Sequence, residues 1–234
     1  FNIEGYFVRA STEGRSPALL MLLGRDTDAA KCVAQGRLLA VGGVHVACVN
    51  IPGFGRSTGP SRFVGAQAVA TARRALDLLE QRPDVDRTRL AVWGVSDGAV
   101  AAGLLMDFDP RPRAVILQSG AYDLLNLWPE APLATKLAIL REVWPSRRVL
   151  RERSVIENLP QRLDVDVLIL HGDRDPRMPV DQARRLATAL KARGARVEAL
   201  YFRNGRHNLG QRTTDPARHF IRESLLAAEA RAAS

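Results

Sequence analysis

Apolar runs of strand length alternate with helical patterns along most of this chain. Several of the runs are apolar on both faces, which is typical of strands in a parallel sheet that is covered on both sides. The predicted strands span 5–10, 18–23, 44–50, 89–94, 113–118, 165–171 and 196–202. The helical patterns span about 28–40, 61–82, 97–108, 179–193 and 215–231. This alternation predicts an α/β fold with a mostly parallel, doubly wound sheet.

One segment interrupts the alternation. Residues 121–163 are too long for a simple connection, and their apolar spacing, which includes Trp128 and Trp144, predicts a small helical insertion. Ligands in open α/β sheets bind beyond the carboxyl ends of the strands, and the insertion leaves the predicted strand 113–118 at that end. We therefore expect Trp128 and Trp144 to border a substrate pocket, with packing inside the insertion as the alternative.

Length and composition limit the expected number of domains and the expected class of protein. The chain has 234 residues, 46% of them hydrophobic, and we expect one domain spanning 1–234. Its longest apolar runs are far shorter than the roughly 20 residues that cross a bilayer, so we expect a soluble protein without a membrane span. The cytoplasm is the favoured compartment, although the start at Phe1 leaves open an exported form with a removed signal. Oligomeric state stays open.

Charge and cysteine content exclude some functions. The net charge is +9, but arginines are spread along the chain without a basic block, so nucleic-acid binding is not expected. Cys32 and Cys48 could form at most one bridge, and buried free thiols are the preferred interpretation. No cluster has the spacing of metal ligands, and the glycines near 53–59 do not form a nucleotide loop. We therefore expect no cofactor.

The sequence Gly94-Val95-Ser96-Asp97-Gly98 follows a predicted strand and opens a predicted helix. This is the setting of a nucleophile elbow, in which glycines at both ends permit a tight turn that projects a serine hydroxyl above the sheet. The alternative is that Ser96 only caps the helix. The position of Ser96 between a predicted strand and a predicted helix favours its interpretation as a nucleophile.

A serine nucleophile needs a base and a carboxylate that orients it. Of the four histidines, His207 lies on a loop between the last strand and the last helix, whereas His45, His171 and His219 lie within or at the ends of predicted elements. Asp173, Asp175 and Asp181 follow the strand 165–171. Asp181 fits the first turn of the next helix, and Asp175, deeper in the loop, is the preferred acid. The chain order is then Ser, Asp, His.

These motifs resemble those of serine hydrolases of the α/β-hydrolase fold over about residues 4–230. The segment 50–58, NIPGFGRST, resembles the family's Asp-x-x-Gly-x-Gly-x-Ser loop, with Asn50 in place of Asp. The segment 153–190 is particularly similar to the catalytic domains of prolyl-oligopeptidase-like enzymes. That resemblance implies Asp175 as the acid and His207 as the base.

The loop 22–31, LLGRDTDAAK, departs from the family, which usually carries a His-Gly pair there. It is more similar to a variant found in some esterases and carbon–carbon bond hydrolases of the fold. By position, the backbone N–H groups of Arg25 and Asp97 would form the oxyanion hole. The Asp97 carboxylate is unfavourable beside an oxyanion unless it points away or is paired, and Arg25 is the candidate partner.

The sequence thus predicts a hydrolase that cleaves carboxylic esters through an acyl-enzyme on Ser96. One alternative is a peptidase similar to the prolyl-oligopeptidase group, acting on short peptides. Those enzymes usually carry an additional propeller domain, and no repeat of that kind is found in this chain. Carbon–carbon bond cleavage and a non-catalytic binding protein that keeps the fold stay open as well. A small ester or a short peptide is the expected partner.

Overall fold

A computed structural model describes residues 1–25 and 27–226. These residues form a seven-stranded sheet, and its strands β1 to β7 are Gly5–Val8, Ser16–Leu23, His45–Asn50, Val85–Val95, Pro112–Gln118, Asp166–Gly172 and Arg196–Phe202. The strand order is β1-β3-β2-β4-β5-β6-β7. Only the edge strand β1 is antiparallel to its neighbour. The α/β-hydrolase fold with a mostly parallel, doubly wound sheet is confirmed.

Helices cover both faces of the sheet. The helices α1 to α8 are Ala29–Val41, Ala66–Glu80, Asp97–Phe108, Leu124–Glu130, Leu133–Glu142, Arg147–Glu152, Asp181–Lys191 and Thr214–Ile221. In the central strand β2, alternate side chains enter two separate cores, with Leu20 and Leu22 in one and Leu19 and Met21 in the other. The first core includes residues of α2 to α7, and the second includes residues of α1 and α8. This burial on both faces explains why the strands are continuously apolar.

The predicted insertion is present. It contains the short helices α4, α5 and α6 and a 3₁₀ turn at Ile156–Asn158, and it leaves the sheet after β5, as expected. Asp123 caps α4 by accepting a hydrogen bond from the backbone of Asn126, and Ser146 caps α6. No helix in the ranges 1–25 and 27–226 is both long and apolar enough to cross a membrane.

Several predicted boundaries need correction. Helix α2 begins at Ala66 rather than 61, because Arg62, Phe63 and Val64 adopt positive φ angles of 45°, 45° and 55°. Strand β2 begins at Ser16 because its backbone N–H donates to the carbonyl of Asp84. The last helix continues as a π turn at Arg222–Leu226, and the remainder of the prediction, 227–231, lies outside the described residues.

The two cysteines form a disulfide between α1 and β3, so the expectation of free thiols is wrong. Both side chains belong to the core between α1 and the sheet, and Cys32 faces Cys48 across it. Their Cα atoms are 6.0 Å apart, within the usual range for a disulfide. The bridge joins the helix that follows the 24–28 loop to the strand that precedes the 51–65 loop.

Candidate active site

Ser96 lies in a sharp turn between β4 and α3. Its φ and ψ are 55° and −118°, a conformation that non-glycine residues rarely adopt. The turn requires both neighbouring glycines: a Cβ on Gly94 would lie 2.2 Å from the carbonyl oxygen of Gly98, and one on Gly98 would lie 2.0 Å from that of Leu22. The Ser96 side chain makes no N-cap hydrogen bond to α3. The simple cap interpretation therefore does not fit, and the motif has the sharp strand–turn–helix geometry of a nucleophile elbow.

The hydroxyl of Ser96 contacts His207. Ser96 Oγ lies 3.0 Å from His207 Nε2, and His207 Nδ1 lies 2.7 Å from Asp175 Oδ2. The three side chains come from loops after β4, β7 and β6, which all end at the same edge of the sheet. This edge brings together the three residues that the sequence singled out. A carboxylate bonded to Nδ1–H leaves Nε2 as the acceptor for a serine proton.

Asp175 is held as an acceptor by its surroundings. Its side chain is fully buried, and its Oδ1 accepts hydrogen bonds from the backbone N–H groups of Arg177 and Met178 at 2.8 and 3.0 Å. Burial alone would raise the pKa of this carboxyl, but the bonds from His207 and from the two backbone groups outweigh burial and lower the pKa. Asp175 is therefore ionised at neutral pH. Asp173, which the sequence offered as another acid, is exposed to solvent.

The other histidines have structural partners. Buried His45 accepts from Ala10 N–H and contacts the carbonyl of Asp84, and His219 of α8 lies beside Glu223 of the π turn. His171 lies at the end of β6, where its Nε2 is 2.9 Å from the Met178 carbonyl, as expected for a backbone-bonded histidine. Burial lowers the pKa of His171. Neutral His171 thus contacts the backbone of the loop that carries Asp175.

The 24–28 loop packs against the start of α3. A Cβ on Gly24 would lie 2.8 Å from the backbone nitrogen of Asp97, so the loop and the N-terminus of α3 are in contact there. Asn50, which is fully buried, forms hydrogen bonds to the backbone of residues 27 and 29. Its amide oxygen accepts from Ala29 N–H at 2.9 Å, and its amide nitrogen donates to the Thr27 carbonyl at 3.2 Å. Asp could not donate, which gives a physical reason for Asn at this position.

Asp97 and Arg25 lie close together, and Arg25 is the partner that the sequence suggested for the Asp97 carboxylate. Arg25 Nε lies 3.7 Å from Asp97 Oδ2, and the Arg25 backbone N–H donates to the same carboxyl group. Burial raises the pKa of Asp97 to about 6, against the opposing charge of Arg25. The guanidinium of Arg25 makes a closer ion pair with Glu142, at the end of α5. Sequence patterns gave no signal for Glu142, because it lies 117 positions from Arg25.

The two tryptophans of the insertion have different environments. Trp128 is partly buried and packs against the larger core, whereas the exposed fraction of Trp144 is 79%. Trp128 therefore packs in the core, and Trp144 contributes little to packing. That these two side chains border a substrate pocket stays a prediction. Within 1–25 and 27–226, no three His, Cys, Asp or Glu side chains are placed to hold a metal ion.

Comparison with known proteins identifies the family of this chain. A sequence model of the prolyl oligopeptidase family matches residues 62–225. The uncharacterized peptidase YuxL of Bacillus subtilis is 27% identical over 149 residues, which are 62% of this chain and 22% of that protein. This chain therefore spans less than a quarter of that relative's length.

Solved structures show the same fold. A puromycin-hydrolyzing peptidase of Mycobacterium tuberculosis superposes with a TM-score of 0.80 at 22% identity, covering 95% of this chain and 37% of the peptidase. A thermophilic esterase of Thermogutta terrifontis, solved with butyrate bound, has a TM-score of 0.74 at 21% identity, covering 95% and 90%. With the family model matching most of its length, this chain belongs to the prolyl oligopeptidase family and has the α/β-hydrolase fold.

Proposed function

We propose that this protein hydrolyses carboxylic esters of small molecules through an acyl-enzyme on Ser96. The observation that carries the proposal is the continuous contact from Ser96 Oγ through His207 to Asp175. A serine hydroxyl is a weak nucleophile at neutral pH, and a hydrogen-bonded imidazole activates it by accepting its proton.

In the acylation step, Ser96 Oγ attacks the ester carbonyl carbon while its proton passes to His207 Nε2. Asp175 stabilises the imidazolium that forms, and the imidazolium then protonates the leaving alkoxide. The C–O bond to the alcohol breaks, and the acyl group stays on Ser96. In the second step, water gives a proton to His207 and attacks the acyl carbon. The bond from that carbon to Ser96 Oγ then breaks, His207 returns the proton to Oγ, and the acid is released.

The negative charge on the tetrahedral intermediate needs hydrogen-bond donors. We assign this role to the backbone N–H group of Asp97 and to that of Arg25, which in the structure donates to the Asp97 carboxyl and must leave that bond to reach an oxyanion. Because α3 begins at Asp97, its N-terminus also favours an anion. The carboxylate of Asp97 opposes an oxyanion when it is ionised, and Arg25 offsets part of that charge.

Peptide hydrolysis is the second candidate, and the match to the prolyl oligopeptidase family favours it. The same residues can cleave an amide, but the leaving amine is poorer and needs full protonation by His207. Because an alkoxide leaves more readily than an amine, small esters are the first proposal.

A substrate panel tests the choice. Wild type and Ser96→Ala are assayed with p-nitrophenyl acetate and butyrate and with aminoacyl and dipeptidyl p-nitroanilides. We expect kcat/KM for the esters to exceed that for the anilides by more than a hundredfold, with Ser96→Ala inactive on both. Faster anilide cleavage would favour the peptidase. Wild type that cleaves none of these substrates would favour a binding protein that keeps the fold.

A further inference from the structure

His171 lies where β6 ends, directly before the loop 173–180 that carries Asp175. Its side chain is fully buried, and burial lowers its pKa, so the ring is neutral and only one of its nitrogens carries a proton. Because a carbonyl oxygen can only accept, this proton lies on Nε2, which is 2.9 Å from the carbonyl oxygen of Met178. His171 therefore donates a hydrogen bond to the middle of the loop.

Met178 is bonded on both sides. Its backbone N–H donates to Asp175 Oδ1 at 3.0 Å, and its carbonyl accepts from His171. This N–H and that of Arg177 are the two backbone donors that hold Asp175 Oδ1. The position of one of these donors therefore depends on the bond that His171 makes.

The same nitrogen of His171 lies near the other oxygen of Asp175. Nε2 is 3.7 Å from Oδ2, which is too far for a hydrogen bond, whereas His207 Nδ1 is 2.7 Å from that oxygen. Asp175 thus lies between two imidazoles, and only His207 is close enough to bond to Oδ2. While the Nε2–H of His171 is engaged by Met178, Oδ2 stays available to His207.

Space filling alone does not explain a histidine at position 171. Its Nδ1 is buried and has no hydrogen-bond partner among the described residues. A buried acceptor without a partner destabilises the folded state, so an apolar side chain would fill the same space at a lower cost. What the histidine supplies at this position is the donor at Nε2.

We propose that His171 is a positioning residue for ester hydrolysis, which keeps the Asp175 carboxylate aligned with His207 through the backbone of the loop 173–180. The proposal rests on the proposed function, in which the same carboxylate orients the base. A misaligned carboxylate leaves the imidazole in the wrong orientation or tautomer, which lowers the rate of the chemical steps. The effect of His171 should therefore fall on kcat.

Three substitutions separate the donor from the volume of the side chain. The amide nitrogen of glutamine can reach the position of Nε2, whereas asparagine is too short and leucine has no donor. The loop keeps another anchor in all three, since Thr135 of α5 donates to the carbonyl of Arg177 at 3.2 Å. With p-nitrophenyl butyrate, we expect His171→Asn and His171→Leu to lower kcat about tenfold or more while KM changes less than about threefold. His171→Gln should keep both constants within about threefold of wild type.

His45→Leu is the matched control. His45 is also a buried histidine bonded to a backbone carbonyl, that of Asp84, but it lies at the start of β3, at the end of the sheet opposite Ser96. This variant should lose stability and keep kcat.

A second readout does not depend on hydrolysis. The proton between His207 Nδ1 and Asp175 Oδ2 lies in a short bond to a carboxylate, so it is strongly deshielded and gives a proton NMR signal downfield of the backbone amides. The signal is identified by its absence in His207→Ala. We expect it in wild type, His171→Gln and His45→Leu, and we expect it to be lost or shifted upfield in His171→Asn and His171→Leu.

An active wild type with kcat unchanged in His171→Asn and His171→Leu would overturn the inference and leave the proposed function standing. A fall in kcat with an unchanged proton signal, or an equal loss in His171→Gln, would overturn it too, because the effect would not follow the donor. Wild type without ester hydrolysis would overturn the proposed function, and the proton signal alone would then decide whether His171 aligns Asp175 with His207. If His171→Leu does not fold, His171→Asn supplies the comparison.

Discussion

His207 Nε2 lies 3.0 Å from Ser96 Oγ, although the two residues are 111 positions apart in the sequence. The exposed fraction of the His207 side chain is 16%, so the imidazole is largely enclosed yet still reachable from solvent. Since a reacting carbonyl must approach Ser96 from solvent, partial exposure suits a group that moves a proton between Ser96, a leaving group and water. A base that serves both steps of hydrolysis requires such a position.

The carboxylate that orients His207 should be essential for turnover. Asp175→Asn removes the charge and favours the wrong imidazole tautomer, so we expect kcat to fall by about 10⁴-fold. Asp173→Asn, two positions away on the exposed side of the loop, should stay within threefold of wild type. Ester hydrolysis by the two purified variants is the measurement. A crippled Asp173→Asn together with a mild Asp175→Asn would reverse the assignment.

The rate should depend on pH because the Asp97 carboxyl lies beside the proposed oxyanion site. Burial raises the pKa of Asp97 to about 6, and the carboxylate that forms as the pH rises through this value opposes an oxyanion. We expect the ratio of kcat/KM for an activated ester in wild type to that in Asp97→Asn to fall between pH 5 and pH 8. An unchanged ratio across this range would contradict an effect of the Asp97 charge on the oxyanion.

Stability should also depend on Asp97. Its carboxyl has an ordinary pKa of 3.8, and burial raises the pKa to about 6 in the folded protein. Because the folded state binds the proton more tightly, ionisation of Asp97 does not lower the free energy of unfolding below about pH 4 and lowers it fully above about pH 6. At pH 8 this ionisation lowers the free energy of unfolding by about 3 kcal/mol. Asp97→Asn removes this destabilisation.

Urea unfolding at pH 4.5 and pH 8 measures this difference. We expect the gain in unfolding free energy from Asp97→Asn to be about 2 kcal/mol larger at pH 8 than at pH 4.5. Asp107→Asn, on the exposed side of the same helix, is the matched control and should show no such difference. An equal gain for Asp97→Asn at both pH values would mean that Asp97 does not titrate in this window.

The tryptophans of the insertion should behave differently when they are truncated. Trp128 packs against the larger core, so Trp128→Ala should lower the melting temperature by several degrees. Trp144 is mostly exposed, so Trp144→Ala should change neither the melting temperature nor the ratio of kcat/KM for acetate and butyrate esters. A changed ratio in Trp144→Ala would instead place it at the substrate pocket in the working enzyme.

The sequence predicted the features that depend on local pattern and chain order. Strand and helix alternation predicted the sheet, and the glycines around Ser96, with Asp175 and His207 after later strands, predicted that these three residues lie together. The structure also contains contacts that depend on tertiary packing and therefore leave no local pattern in the sequence. The left-handed turn at 62–64 has no glycine to signal it, and Glu142 reaches Arg25 only because the insertion folds back over the sheet.

The cysteines illustrate the same limit. Two cysteines 16 positions apart are compatible with free thiols or with a bridge, and only the packing of α1 on β3 brings Cys32 and Cys48 together. The role of Asn50 is similar, since its two hydrogen bonds become visible only when the loop that carries Thr27 and Ala29 is in place.

The central claim is that Ser96 is the nucleophile, and a covalent probe tests it most directly. Wild type, Ser96→Ala and Ser57→Ala, whose hydroxyl bonds the Asn50 carbonyl, are incubated with a fluorophosphonate and examined by intact mass and peptide mapping. We predict one phosphonyl adduct on Ser96 in wild type and in Ser57→Ala, and none in Ser96→Ala. An adduct on another residue, or labelling of Ser96→Ala at the wild-type rate, would contradict the account.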